Sequence, residues 1–79
     1  MKRNLYSDKT VISIVIPVYN EIEGLYALRE NLVQTIESWK TKGWKLGVEI
    51  ILINDGSTDG SPEIMDQFAM EDPRFNVIH

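Results

Sequence analysis

Two short stretches of this 79-residue chain carry side chains that could act on a ligand. Tyr19-Asn20-Glu21 offers a flat aromatic face, an amide and a carboxylate in succession. Asn54-Asp55-Gly56-Ser57-Thr58-Asp59-Gly60 is the densest cluster of turn and capping residues in the chain. Brought together, the two suit a nucleotide. Tyr19 can cover the face of a base, and Asp55 can accept from a ring N–H or from ribose hydroxyls. Gly56 permits close backbone approach and a positive φ. A carboxylate facing a base edge gives specificity, because the wrong ring leaves a buried charge unpaired. Taken singly, each piece has a plainer reading. Tyr19 serves as a packed aromatic, Glu21 as a first-turn carboxylate favouring a helix dipole, and Asp59 as a capping or turn residue. The run from Asp55 to Gly60 is also what a tight turn into a helix looks like.

The elements flanking these stretches decide whether they meet. Val11-Ile12-Ser13-Ile14-Val15-Ile16 is apolar and mostly β-branched, the composition of a strand buried on both faces. Pro17 lacks an N–H and predicts the strand's end, over about Val11 to Pro17. Asn20, with Glu23 three positions on, predicts a capping-box start for a helix, in which Gly24 is a mild defect. Leu25, Leu28, Leu32, Ile36 and Trp39 recur at spacings of 3, 4, 4 and 3, one stripe of that helix. Gly43 is a natural C′ residue, and Lys40 and Lys42 suit the negative end of the dipole. A connector, Trp44 to Gly47, leads to a second strand, Val48 to Ile53. Ser61 then Pro62 reads as N-cap and first turn of a second helix, with Ile64, Met65, Phe68 and Ala69 as its apolar face. Asp72-Pro73 ends it, and Phe75-Asn76-Val77-Ile78 begins a third strand. Asp66, Glu71 and Asp72 read as a solvated face.

The order β-α-β-α-β with crossovers of this length predicts parallel strands and right-handed connections, so the strand tips lie side by side. Ligands sit at such tips in open α/β sheets. Two crossovers in the same direction place both helices on one face of the sheet. Both alternating sets of the second strand, Ile50/Leu52 and Ile51/Ile53, are apolar, as are those of the first apart from Ser13, so the strands expect cover on two sides. The expectation is therefore a leader over 1–10, with a turn at Ser7-Asp8, and a partial domain over 11–79. The isolated chain is expected to self-associate through its naked face or an open edge.

Composition narrows the function classes. Hydrophobic content of 43% and charged content of 25% match ordinary globular domains. A net charge of −4 argues against a nucleic-acid partner, and the adjacent pair Lys2-Arg3 is no basic stripe. There is no cysteine, and the single histidine is His79, so no disulfide, thiolate site, His-based zinc site or serine triad can be built. The apolar run after Lys2-Arg3 is short, broken by Ser13 and without a small-residue cleavage site, unlike a signal peptide. No stretch approaches the ~20 apolar residues of a membrane span. A cytoplasmic chain is expected.

In combination, Ile16-Pro17-Val18-Tyr19-Asn20-Glu21 and Leu52-Ile53-Asn54-Asp55-Gly56-Ser57-Thr58-Asp59-Gly60 closely resemble the inverting family-two glycosyltransferases. The helix between and the Asp72-Pro73-Arg74-Phe75 start of the last strand also match in kind and spacing. The likeness covers nearly all of Val11 to His79, and is marked toward members that hand a sugar to a polyprenyl phosphate. It implies a GT-A fold, of which this chain is the parallel βαβαβ, three-layer-type Rossmann-like first part. It also implies a nucleotide-diphosphate sugar donor, a polyprenyl-phosphate or glycan acceptor, and a divalent cation (Mg or Mn). Carried over by position, Pro17, Val18, Tyr19 and Glu21 line base and ribose, Asp55 is the base-contacting carboxylate, and Gly56 is the close-approach residue. The family usually has Asp-Asp-Gly-Ser; Asn54 replaces the first acid here, a change expected to tune the site. The family's Asp-x-Asp metal motif and catalytic base lie further along than His79. No catalytic or metal residue is therefore assigned, and work at the cytoplasmic face of the membrane is implied for the full-length enzyme.

Two other classes stay open from sequence. A receiver-like signalling module would carry its acceptor Asp on the third strand, where Phe75 to His79 has no acid. A non-catalytic nucleotide-binding or interaction domain could share the fold without the activity. Dinucleotide and P-loop readings fail because neither G-x-G-x-x-G nor a Gly-Lys-Ser/Thr loop is present.

Overall fold

In the computed structural model, residues 10–79 are described. They form β1 (Thr10–Val18), α1 (Ile22–Thr41), β2 (Leu46–Asn54), α2 (Ser61–Glu71) and β3 (Phe75–Ile78). The leader expected before Thr10, its Ser7-Asp8 turn and the Lys2-Arg3 pair lie outside the described residues. The strands make one parallel sheet in the order β1-β2-β3. Val18 pairs with Asn54, so β1 and β2 end level with each other.

Both helices cover the same face. The alternate residues Val18, Ile50, Leu52 and Phe75 are at most 2% exposed, and they pack with Leu25 and Ile36 of α1 and Met65 and Phe68 of α2. Leu28, Leu32 and Trp39 complete the α1 stripe, and Ile64 and Ala69 that of α2, as their spacing predicts. The helices also touch each other. Tyr26 meets the edge of Phe68, and the Arg29 guanidinium lies 4.5 Å from the Phe68 ring centre while pairing with Glu71. On the opposite face Val11, Val15 and Ile78 are more than half exposed. Among the described residues this is therefore two layers, a sheet and one sheet of helices, with the third layer expected by the strand composition absent.

Helix α1 stops as its C-terminal residues dictate. The N–H of Gly43 donates to the carbonyl of Lys40 and that of Trp44 to Trp39, a Schellman closure that requires the left-handed φ of 85° at Gly43. Pro17 does not end β1; the strand runs on through Val18. The Val18 carbonyl accepts from the Asp55 N–H on the β2 side. Alternation along a strand then turns the Pro17 nitrogen toward the open edge, where a missing N–H costs β1–β2 pairing nothing. Gly47 likewise lies inside β2, opposite Val11, and does not close the connector.

Two expected caps are corrected. Asn20 does not cap α1: the cap position is Glu21, with no side-chain hydrogen bond. Ser61 does not cap α2: that position is Gly60, and the Ser61 N–H instead donates to Asp59 Oδ1. Both side chains are engaged across the two strand tips, as described below. Of the acids expected to be solvated, Asp66 and Glu71 are exposed and Asp72 is half-buried, and all three are also paired. Asp72 chelates Arg74 (2.6 Å to Nη2), Glu71 accepts from Arg29 and Gln67, and Asp66 lies 2.8 Å from His79 Nε2.

Candidate functional site at the tips of the first two strands

Because β1 and β2 run parallel and end in register, the loops that follow them share one end of the sheet. The Asp55 N–H donates to the Val18 carbonyl at 2.9 Å, extending the pairing one residue past β2. The chain then turns at Gly56, whose φ of 77° belongs to the left-handed region, and runs to α2. Tyr19 is 58% exposed at this end, and Glu21 and Asp55 are exposed beside it. Among the described residues none of their side chains is engaged in a hydrogen bond or ion pair. Tyr19, Glu21, Asp55 and Gly56 are thus brought together. Val18 is different: its side chain is buried in the core, and its carbonyl accepts from both Asp55 and the Ser57 hydroxyl.

The space around the tip is divided in two. Pro17, Val18 and Glu21 border a groove of ≈ 260 Å³ between the open edge of β1 and the start of α1, together with Ile16, Gly24, Leu25 and Leu28. Asp55, Gly56 and Tyr19 do not line it; they stand over the seam between β1 and β2. Glu21 lines the groove. Gly24, a defect by helix propensity, leaves room for it, since a Cβ there would lie 3.1 Å from Glu21 Oε2.

The polar residues among these ligand-facing groups are occupied in holding the loops. Asn20 has a φ of 47°, a left-handed conformation that asparagine tolerates better than most residues. Its N–H donates to Ser57 Oγ at 3.0 Å, and its Oδ1 accepts from the Thr58 N–H at 2.8 Å. Ser61 is fully buried, and its Oγ accepts from the Glu21 N–H at 3.0 Å. Hydrogen bonding to Ser61 holds the Asp59 carboxyl below the usual carboxylate value. Asn54 Oδ1 accepts from the Ser57 N–H at 2.9 Å, which an aspartate oxygen would do equally well. The difference falls on its amide nitrogen, 3.4 Å from His79 Nδ1. None of these bridging roles was read from sequence. The one available signal was the surplus of Ser, Thr and Asn beyond what a tight turn needs.

Among the described residues no group of three or more His, Asp or Glu side chains could hold a metal ion. The carboxylates present do not fit the divalent cation that the sequence resemblance implies. No described helix is long and apolar enough to cross a membrane.

Comparison with known proteins agrees with this architecture. The chain is 44% identical over 87% of its length to glycosyltransferase GlyG of Streptococcus pneumoniae, covering 20% of that protein. It is 45% identical over 76% of its length to the undecaprenyl-phosphate 4-deoxy-4-formamido-L-arabinose transferase of Salmonella choleraesuis, covering 17% of it. It is 27% identical over 89% of its length to the dolichyl-phosphate beta-glucosyltransferase of Dictyostelium discoideum, covering 21%. The chain thus spans about a fifth of the length of these relatives. The family model for glycosyl transferase family 2 matches residues 13–79, and the chain belongs to that family.

Proposed function

We propose that this chain is the donor-nucleotide-binding part of a hexosyltransferase, which at full length moves a sugar from a nucleotide-diphosphate sugar to an acceptor. The observation that carries this reading is the convergence, over adjacent strand tips in a family 2 chain, of a phenol and two carboxylates that no described residue engages. In this reading Tyr19 covers the base and Asp55 accepts from its edge or from the ribose. Gly56 lets the backbone close on the ligand, and Glu21 with Pro17 forms the wall on the open side of β1. Val18 contributes through its carbonyl, which sets the position of Asp55. These residues bind and orient a donor; the carboxylates of this chain are assigned no proton transfer and no metal.

The favoured acceptor is a polyprenyl phosphate, supported by relatives named as undecaprenyl-phosphate and dolichyl-phosphate transferases. An acceptor that is already an anion needs no base to deprotonate it. Such a substrate puts the full-length enzyme at the cytoplasmic face of a membrane. A glycan acceptor is the second form of the same reading.

Titration of the full-length protein with uridine and guanosine diphosphates tests the proposal. Binding of one of them is expected, weakened in Asp55→Ala by about 1–3 kcal/mol, the usual loss for a hydrogen bond to a charged group. Unchanged affinity removes Asp55 from the site. Binding of neither nucleotide favours a non-catalytic interaction domain.

A further inference from the structure

At the strand tips the polar side chains divide into two sets. Tyr19, Glu21 and Asp55 have no hydrogen-bond partner among the described residues, whereas Asn20, Ser57 and Ser61 each bridge segments 37 to 40 residues apart. Asn20 sits between the two ligand-facing residues of the first loop. Its left-handed φ sets the directions in which Tyr19 and Glu21 leave the backbone. That conformation is held from outside, by Ser57 Oγ on its N–H and the Thr58 N–H on its Oδ1. The Ser57 hydroxyl in turn donates to the Val18 carbonyl, the same atom that receives the Asp55 N–H. One hydroxyl therefore ties the loop bearing Tyr19 and Glu21 to the register that places Asp55. Ser61, buried beneath, anchors the Glu21 N–H where α1 has no side-chain cap of its own.

We propose that Asn20 and Ser57, backed by Ser61, are positioning residues for the nucleotide site: they set the gap between the Tyr19–Glu21 wall and Asp55 without touching the ligand. The inference rests on the donor-binding reading above and deepens it. A ligand that must contact both walls binds a preset gap at lower cost than two loops that it has to order itself.

The test is nucleotide affinity of the full-length protein, by titration with uridine and guanosine diphosphates at a temperature where every variant is folded. Asn20→Ala loses both the tether and the tolerance for positive φ; Ser57→Ala loses the bridging hydroxyl. Each is expected to raise Kd by roughly three- to tenfold, the equivalent of one or two neutral hydrogen bonds. Asn20→Asp keeps an acceptor for Thr58 and a residue suited to the left-handed region, and should restore wild-type Kd. Asn20→Gly keeps the conformation alone and should fall between. Arg29→Ala, which breaks the Glu71 pair away from the tips, serves as a control that lowers thermal stability and leaves Kd in place. Unchanged Kd in Asn20→Ala and Ser57→Ala, with binding still weakened in Asp55→Ala, overturns the positioning role and leaves the site reading intact. A Kd shift in Arg29→Ala matching that of Asn20→Ala at equal loss of stability overturns it too. Binding indifferent to Asp55→Ala, or no binding of either nucleotide, removes the site and the positioning role together.

Discussion

The two faces of this sheet both carry β-branched residues, and their fates are opposite. On one, Ile50 and Leu52 are wholly inaccessible beneath two helices; on the other, Val11 and Val15 are more than half exposed. Polar groups interrupt the bare face at Ser13, whose hydroxyl donates to Glu49, and at Asn76 opposite Ile51. What differs is the cover, and the contrast teaches that β-branched runs report how many layers a strand is suited to. They do not report how many layers a given length of chain supplies. Stability should therefore be concentrated on one side of a sheet whose strands look symmetrical on paper.

Three measurements bear on that contrast. Phe68→Ala opens a cavity at the centre of the covered side, between Phe75, Tyr26 and Arg29. A loss of about 3–5 kcal/mol is expected in denaturant unfolding. Much less would mean that the covered face is not the core. A smaller effect should follow acidification. Arg74 bonds the Asp72 carboxylate and holds its pKa below the ordinary 3.8, and Glu37 of α1 lies 3.9 Å from the same guanidinium. A depressed carboxylate contributes stability that is complete above its unfolded pKa and fades as pH falls through the folded value. The wild type should lose this increment below about pH 4, and Asp72→Asn should lack it at neutral pH and flatten that part of the curve. The smallest change in stability, within about 0.5 kcal/mol, is expected for Val15→Lys on the bare side, an exposed position. The same substitution should reduce self-association of the isolated chain in sedimentation at tens of micromolar, roughly the range in which exposed apolar surface drives association. A wild-type chain that stays monomeric there would show the bare face to be harmless.

Much of the fold was readable in the chain itself, because its signals are local. The 3.6-residue stripe from Leu25 to Trp39, the closure at Gly43 and the Asp72-Pro73 stop each depend on neighbours within a few residues. The parallel direction, and with it the shared end of β1 and β2, follows from crossover length. The failures share a cause as well. Asn20 and Ser61 have the composition of caps and are engaged by partners 37 to 40 residues away. A local rule has no view of such partners. Asp66 and Glu71 are exposed as expected, and the pairs they make with His79 and Arg29 are likewise formed with residues distant in sequence. At the site, Tyr19 and Asp55 stood out by residue type and lie together as the topology requires. The frame around them did not stand out, because hydroxyls and amides that hold a loop look like those that merely form one.

The placement of Pro17 has one more consequence. Along the outer side of β1, the backbone turns the N–H groups of Val11, Ser13 and Val15 outward, and at Pro17 the series stops. Any chain that zips onto that border will find three donors in a row and then none. It forgoes one backbone hydrogen bond at Pro17, so pairing along that edge is weakest just before the aromatic ring.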